Sequence, residues 1–263
     1  MWLKNNSDTF FLIAGPCVVE SEEICFEIAA QLVAITNELN IPFIFKASYK
    51  KANRTKLDSF TTIGEEKALQ ILADLKAHYT IPILTDVHET TDCDKVKDIV
   101  DVIQIPAFLC RQTELLIAAG KTEKTVNIKK GQFVSAEMMQ FAVDKVLSTN
   151  NKNILLTERG TMFGYNDLLV DFRNISLMQQ TGFPVVFDAT HSVQQPNKSD
   201  GISGGKPEHI ETLAKCAIAA GADGIFLETH PNPSKALSDG TNMLALSEVK
   251  GLLEKLVKIK NSL

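Results

Sequence analysis

The sequence lacks several features that would assign it to common protein classes. Its net charge is −5, so it has no basic excess of the kind that a nucleic-acid-binding surface needs. No apolar run reaches the length of a membrane span, and Phe10–Ala14 is too short for the apolar part of a secretory signal. The five cysteines show no paired spacing, which is typical of reduced thiols. We therefore expect a cytoplasmic protein that binds neither nucleic acid nor membrane.

A glycine-rich GxGxxG turn is also missing, which disfavours an open dinucleotide-binding sheet. Short apolar runs instead alternate with helical patterns along all 263 residues. Strands are predicted at 11–14, 43–45, 82–84, 102–105, 125–128, 154–156, 185–187 and 225–227. Helices are predicted near 21–40, 64–78, 91–99, 112–119, 136–147, 169–180, 209–220 and 245–259. Eight such units predict an α/β protein, a single (β/α)₈ TIM barrel over residues 1–263.

Acids and imidazoles follow the last two predicted strands. Asp188 and His191 come after the seventh, and Glu228 and His230 come after the eighth. In a barrel the segments that follow each strand share one rim, where barrel enzymes keep their chemistry. The sequence therefore predicts that two neighbouring strands deliver carboxylate and imidazole groups to one mouth.

A metal site is predicted at the same place. Cys17 follows the first strand, Asp239 lies beyond the eighth, and their loops adjoin loop seven when a barrel closes. Cys17, His191, Glu228 and Asp239 offer thiolate, imidazole and two carboxylates, which suit a divalent ion such as Zn²⁺ or Fe²⁺. No local spacing is diagnostic, and a cysteine taken alone is more often a small buried hydrophobe. The metal hypothesis therefore depends on the fold.

Cations gather at the predicted rim as well. Only four arginines occur, and three of them lie in predicted βα loops or helix starts. The planar fork of arginine suits phosphate, so cations at one mouth of an acidic protein predict phosphorylated substrates. A lone lysine in a loop is usually a solvated charge, and Lys121, Lys124 and Lys130 are interpreted in that way.

Eight segments carry a resemblance to a known family. In chain order they are FLIAGPC, FKASYKKANRT, TDVHE, IQIPAFLCRQT, VNIKKGQF, TERGTMFGYN, FDATHSVQ and LETHPNPSKALSDG. Together they resemble the 3-deoxy-D-manno-octulosonate 8-phosphate synthases over nearly the whole chain. The resemblance implies the condensation of phosphoenolpyruvate with D-arabinose 5-phosphate and water, which gives the sugar acid phosphate of lipopolysaccharide and free phosphate. Two branches exist, and Gly15-Pro16-Cys17 with Ser238-Asp239-Gly240 resembles the metal-dependent one; the metal-free branch has asparagine in place of the cysteine.

The resemblance also implies roles for single residues. The metal, Zn²⁺, Fe²⁺ or Mn²⁺, is expected on Cys17, His191, Glu228 and Asp239. Phosphoenolpyruvate is expected to contact Lys46, Lys51, Gln104, Pro106, Ala107, Lys129 and Arg159. Arabinose 5-phosphate is expected at Asn53, Arg54 and Asp86, and His191 is expected to contact substrate as well. The residues expected to act in catalysis are Cys17, Lys46, His191 and Asp239.

A neighbouring subunit is expected to complete the site. The family is usually a homotetramer, and the resemblance implies that Arg111 and Gln112 reach the aldose phosphate of an adjacent subunit. The apolar run Phe108-Leu109-Cys110 in a predicted loop agrees with a contact surface. Residues 194–206, rich in proline, serine and glycine, are interpreted as a lid over the site.

Three alternatives remain at this point. An erythrose 4-phosphate synthase of the aromatic pathway typically has KPRTS where this chain has KANRT, which disfavours it. A Schiff-base aldolase would use Lys129 or Lys46 with a depressed pKa. A non-catalytic sugar-phosphate binder would have no use for four metal ligands.

Overall fold

Parallel strands close into a barrel that helices surround. In the computed structural model, residues 9–52, 54, 56–164, 167–195 and 204–263 are described. Within them the barrel strands are Phe11–Gly15 (β1), Phe43–Lys46 (β2), Ile83–Asp86 (β3), Val102–Ile105 (β4), Thr125–Lys129 (β5), Ile154–Glu158 (β6), Val185–Asp188 (β7) and Gly224–His230 (β8). Each pairs in parallel with the next, and β8 pairs with β1 to complete the ring. The predicted TIM barrel is confirmed.

One helix follows each barrel strand. The helices are Glu22–Glu38 (α1), Glu65–Tyr79 (α2), Thr90–Val96 (α3), Thr113–Lys121 (α4), Met139–Leu147 (α5), Arg173–Gln179 (α6), Ile210–Ala219 (α7) and Leu246–Lys260 (α8). Ser21 caps α1 by accepting a hydrogen bond from the Ile24 amide at 3.3 Å, and two acids occupy its first turn. No described helix is long and apolar enough to cross a membrane.

Five helices are shorter than the sequence predicts, and in α3, α5 and α6 other structure replaces the missing residues. Helix α3 ends at Val96 and α5 begins at Met139, with turns in place of the outermost predicted residues. Helix α6 begins at Arg173, because the residues before it form an antiparallel hairpin of Thr161–Gly164 and Asp167–Leu169. Thr161 pairs with Leu169 and Gly164 with Asp167, so Leu169 belongs to a strand rather than to the predicted helix.

Strand residues alternate between the barrel interior and the helices. The inward-facing apolar layer consists of Phe11, Ile13, Ile44, Leu84, Val102, Leu155, Val186 and Phe226, all buried. The remaining strand residues, such as Leu12 and Ala14, pack against the helices in the larger outer core. This alternation is why each strand is buried on both faces and reads as a continuous apolar run.

A buried polar network lies across β4, β5 and β6. Gln104 Nε2 donates to Asn127 Oδ1 at 2.8 Å, and Asn127 Nδ2 donates to Thr157 Oγ1 at 2.7 Å. These three side chains are buried and joined by the two hydrogen bonds, which offset the cost of placing polar groups in the barrel interior. The network also fixes the orientation of Gln104.

The last two loops carry short pairings of their own. Strand β8 continues three residues beyond the predicted end, because Thr229 and His230 pair with Leu244 and Ala245. Gln194–Gln195 pairs antiparallel with Gly204–Gly205 at the base of the interpreted lid. The central part of that segment, 196–203, lies outside the described residues, so the lid stays a prediction.

Gly15 allows loop one to pass close to the end of β2. A Cβ at this position would lie 2.1 Å from the carbonyl oxygen of Lys46. Because both atoms belong to paired strands, neither can move without disturbing the barrel closure. A glycine is therefore required at this position by the close approach of the backbone.

We predict opposite effects for two glycine-to-alanine substitutions. Gly15→Ala should lower the free energy of unfolding by about 2 kcal/mol or more, because it overpacks a rigid contact. Gly251→Ala should raise it by about 0.5–1 kcal/mol, because Gly251 lies inside α8 with nothing within 4 Å of an added Cβ. Chemical denaturation measures both, and midpoints that move in the same direction would contradict the argument.

Candidate active site

The strand ends surround a cavity of about 920 Å³ at the C-terminal mouth of the barrel. Its lining includes most of the predicted site residues, namely Lys46, Lys51, Arg54, Asp86, Gln104, Pro106, Ala107, Lys129, Arg159, His191, Glu228 and Asp239. This volume is in the range of small-molecule sites. Residues spread over almost 200 positions therefore converge as the barrel prediction requires, since the loops after parallel strands meet on one face.

A thiol and two carboxylates converge at one side of the cavity. Ligand atoms of Cys17, Glu228 and Asp239 all lie within 4.8 Å of one another. Cys17 Sγ is 3.2 Å from Asp239 Oδ2, although 222 positions separate the two residues. His191 Nε2 is 3.6 Å from Glu228 Oε2, so the imidazole borders the cluster without belonging to the group of three.

This donor set fits a divalent cation. Cys17 is fully buried, and burial together with the Glu228 carboxylate raises the pKa of its thiol far above the usual range. Without added positive charge the thiol is therefore protonated at neutral pH. A divalent ion would supply that charge, because a coordinating thiol is deprotonated by the metal. Sulfur, imidazole and carboxylate are donors that Zn²⁺ and Fe²⁺ accept.

Asp188 holds both Lys129 and His191. Its carboxylate is buried, with Oδ2 2.6 Å from Lys129 Nζ and 2.9 Å from His191 Nδ1. The His191 backbone amide also donates to Asp188 Oδ1 at 2.8 Å. A carboxylate beside Nδ1 favours a proton on that nitrogen, which leaves Nε2 free to act as a ligand. The pKa of Asp188 lies well below its usual range because His191 and Lys129 outweigh the effect of burial.

Lys46 connects the cluster to the barrel. Its Nζ lies 2.8 Å from Glu228 Oε1 and donates to the carbonyl of Cys17 at 3.0 Å. Burial opposes charge on Lys46, but Glu228 outweighs it and raises the pKa of the lysine. In return the pKa of Glu228 falls to about 2, because Lys46 and then His191 overcome its burial. Both groups are therefore charged at neutral pH, which does not suit Lys46 as a Schiff-base nucleophile.

Three further cations complete an arc around the cavity. Lys51 Nζ is 3.9 Å from Asp239 Oδ2. Burial lowers the pKa of Lys129 and of Arg159, only partly offset by Asp188. Arg159 Nη2 donates to the His191 carbonyl at 2.6 Å, whereas its Nε is buried without a partner among the described residues. An unpaired buried donor of this kind fits an anionic ligand, because leaving it unsatisfied is costly.

Asp86 lines the same cavity and has a fixed orientation. Ser48 Oγ donates to its Oδ1, and His88 Nε2 lies 3.1 Å from its Oδ2. The pKa of Asp86 is far below its usual range because His88 outweighs the effect of burial. Asp86 is therefore an ionised acceptor suited to a substrate hydroxyl.

Three predicted substrate residues are exposed in this chain, and a fourth is not described. Arg54 is exposed, and its Nη1 donates to the carbonyls of Leu57 and Ser59 at 3.1 Å each. Asn53 lies outside the described residues. Arg111 and Gln112 are exposed and do not line the cavity.

The interpretation of Lys130 as an exposed charge is wrong. Its side chain is fully buried, with Nζ 3.5 Å from Glu158 and bonded to the carbonyls of Gly131 and Gly160 at 3.3 Å each. Consecutive strand-end residues point to opposite faces, so Lys129 reaches the cavity. Lys130 instead links the loop after β5 to the loop after β6, through the carbonyls of Gly131 and Gly160. This alternation of direction along the strand could have predicted that Lys130 points away from the cavity.

Ser48 and Gln132 also line the cavity and were not predicted. Ser48 is only two residues beyond Lys46, so its place on the rim was readable from the strand. Gln132 lies in a loop, where no periodicity indicates the direction of a side chain. Gln194, the first residue of the interpreted lid, lines the cavity as well.

Comparison with known proteins places the chain in one family. The family model for the DAHP synthetase I family matches residues 3–263. A protein of Brucella anthropi named 2-dehydro-3-deoxyphosphooctonate aldolase is 51% identical over 96% of this chain and 91% of its own length. Proteins with the same name from Koribacter versatilis and Francisella tularensis are 52% and 48% identical, over 96% and 97% of this chain and 91% and 92% of their own lengths. The chain therefore belongs to the DAHP synthetase I family, alongside members named 2-dehydro-3-deoxyphosphooctonate aldolase.

Proposed function

We infer that the chain condenses phosphoenolpyruvate with D-arabinose 5-phosphate and water, giving 3-deoxy-D-manno-octulosonate 8-phosphate and phosphate for lipopolysaccharide biosynthesis. The observation that carries this conclusion is about half identity, across nearly the full length, to proteins named for that product. The cavity agrees in character, because its cations suit two phosphorylated substrates. The same relatives favour arabinose 5-phosphate over erythrose 4-phosphate as the aldose.

Phosphoenolpyruvate occupies the arc of buried cations in our proposal. Its carboxylate and phosphate are held by Lys46, Lys51, Lys129 and Arg159. The unpaired Nε of Arg159 supports this assignment, because a substrate oxygen would satisfy it. Gln104, fixed by Asn127, and the backbone at Pro106 and Ala107 form the adjoining wall.

Arabinose 5-phosphate extends outward toward the loop that follows β2, residues 47–64. Arg54 and Asn53 bind its phosphate, and the exposed Arg54 guanidinium donates to two backbone carbonyls among the described residues. Asp86 accepts a sugar hydroxyl, since Ser48 and His88 keep it ionised and oriented. His191 lies between the two substrates, next to Glu228 and Asp188.

The reaction forms one carbon–carbon bond and releases one phosphate. The methylene carbon of phosphoenolpyruvate attacks the aldehyde carbon, whose oxygen takes up a proton. Water adds at the carbon that bears the phosphate, and the tetrahedral adduct expels inorganic phosphate to leave the keto group. Lys46, Lys129 and Arg159 stabilise charge at that carbon, because they are held in place before the reaction begins.

A divalent ion would be held by Cys17, His191, Glu228 and Asp239, so we assign the chain to the metal-dependent branch. The ion would be Zn²⁺, Fe²⁺ or Mn²⁺ and would supply Lewis-acid polarisation and orientation for the aldose. Convergence of the thiol and both carboxylates supports this set. Asp188 keeps His191 in the required tautomer, and Lys46 balances the charge of Glu228.

We also propose a cellular location, a domain organisation and an oligomeric state. All five cysteines are free, which suits the cytoplasm. The described residues form one closed barrel, so we propose one catalytic domain over residues 1–263. Phe108 and Phe141 are exposed near Arg111, which supports a subunit interface and a homotetramer in which Arg111 and Gln112 reach a neighbouring site.

Aldose selectivity tests the reaction. We expect kcat/KM for arabinose 5-phosphate to exceed that for erythrose 4-phosphate by at least about 100-fold, because a site that pairs a substrate hydroxyl rejects analogues lacking it. Mass spectrometry identifies the product formed from phosphoenolpyruvate with each aldose, and initial rates give kcat/KM for each. Comparable values for the two aldoses would overturn the assignment.

Metal removal tests the branch. Exhaustive chelation should abolish turnover and added divalent ion should restore it. Cys17→Asn should lose tight metal binding yet keep measurable turnover, as in the metal-free branch, whereas His191→Ala should retain almost none. Turnover rates and the metal content by elemental analysis are measured on the same samples. Full activity in protein free of metal would contradict the proposal.

Subunit mixing tests the shared site. Arg111→Ala and His191→Ala chains should each be inactive, but exchange between them should create sites with both residues intact and so recover activity. The control mixes Glu228→Ala with His191→Ala chains, whose lesions fall in the same site and cannot complement. Exchange verified by native mass spectrometry without recovered activity would show that Arg111 does not act across subunits.

A further inference from the structure

Loop eight, residues 231–243, carries Asp239 and is closed at its base. Thr229 and His230 pair with Leu244 and Ala245, and Thr229 Oγ1 donates to the Leu244 carbonyl at 2.8 Å. The base therefore fixes both ends of the loop but does not set where its middle lies. Asp239 is five residues from the second end, so its carboxylate needs a further constraint to meet Cys17.

The backbone at Asp239 is held in an uncommon conformation. Its φ of 49° and ψ of 22° are left-handed, a region that residues other than glycine visit rarely. Next to it, a Cβ at Gly240 would lie 2.2 Å from the Pro233 carbonyl, so this part of the loop packs against itself. Such conformations persist where surrounding contacts enforce them.

Glu20 makes two of these contacts from loop one, three residues beyond Cys17. Its Oε1 accepts a hydrogen bond from the Leu237 amide at 2.9 Å, two residues before Asp239. Its Oε2 lies 3.5 Å from His230 Nε2, at the start of the loop. Both side chains are almost fully buried, with 8% of Glu20 and 5% of His230 exposed.

The proton on His230 faces Glu20. The Asn232 amide donates to His230 Nδ1 at 2.9 Å, so Nδ1 carries the lone pair and the ring hydrogen is on Nε2. Nε2 has no hydrogen-bond partner among the described residues, and the Glu20 carboxylate lies in front of it at 3.5 Å. Glu20 thus joins the beginning and the middle of loop eight to the loop that bears Cys17.

We propose that Glu20 is a positioning residue, which sets loop eight against loop one so that Asp239 meets Cys17 at 3.2 Å. It does not enter the cavity lining and has no contact with the proposed ligand atoms. The inference depends on the proposed metal site and names a residue outside it. Residues of this kind that orient metal ligands typically contribute 10- to 100-fold in affinity.

Co²⁺ binding to metal-stripped protein provides a readout that does not depend on turnover. A thiolate-to-cobalt absorption band reports Cys17 as a ligand, and its loss in Cys17→Asn identifies the band. Glu20→Ala should keep the band and raise the Co²⁺ dissociation constant about 10- to 100-fold. Glu27→Ala is the matched control, because Glu27 is exposed in α1, and it should leave the constant unchanged.

A second variant, Glu20→Gln, distinguishes the contact with Leu237 from the contact with His230, and keeps the proposal testable if Glu20→Ala does not fold. Glu20→Gln can still accept from Leu237, but its amide would face the His230 N–H, so we expect an intermediate loss of about three- to tenfold. The unfolding midpoint of metal-free Glu20→Ala should stay close to that of Glu27→Ala. Dissociation constants for both Glu20 variants within twofold of wild type would overturn the proposal. Absence of the cobalt band in wild type would instead refute the metal site, and with it this inference, while product formation still tests the reaction.

Discussion

The pairing of β8 with β1 is the constraint on which the site depends. Its register places Gly15 opposite Glu228, and the close approach of Gly15 to the Lys46 carbonyl aligns β2 beside them. Cys17 follows two residues after Gly15, so closure of the barrel is what brings a thiol from the first loop to a carboxylate on the last strand. If that register slipped by one residue, each side chain would move to the other face. The thiol and the carboxylate would then no longer meet.

Charge compensation explains how so many ionised groups coexist in a buried mouth. Lys46 is paired with Glu228, Lys129 with Asp188, and Lys51 lies near Asp239. A buried ion pair recovers its desolvation cost only when its geometry is good and its remaining hydrogen-bonding groups are satisfied. Arg159 departs from this pattern, because its Nε has no partner among the described residues. The site is therefore nearly balanced before substrate arrives, with its free donor capacity concentrated where an anion is expected.

The sequence predicted the fold and the place of most site residues because both follow from periodicity. Strands buried on both faces read as apolar runs, and the residue that ends each run must lie on the rim, which is why Glu228 and Asp188 were found. Periodicity does not indicate what happens within a loop. The hairpin before α6 was missed for this reason. The role of Glu20 was not predicted, because its partners His230 and Leu237 are more than 200 positions away.

The burial of Lys130 was missed for a different reason. A lysine in a loop is usually solvated, and only the alternation with its neighbour Lys129 indicated that Lys130 is buried.

Asp188 links the two sides of the cavity through contacts with Lys129 and His191. One carboxylate contacts Lys129, on the side assigned to phosphoenolpyruvate, and His191, on the side of the proposed metal ligands. Movement of either partner would disturb the other, because the carboxylate is fully buried and a lost contact would leave it unsatisfied. Lys129 also packs 4.1 Å from the centre of the Phe226 ring, at the top of the apolar layer inside the barrel. The apolar core thus supports Lys129 from below while Asp188 joins it to His191, so the positions of Lys129 and Asp188 are set by the barrel strands themselves.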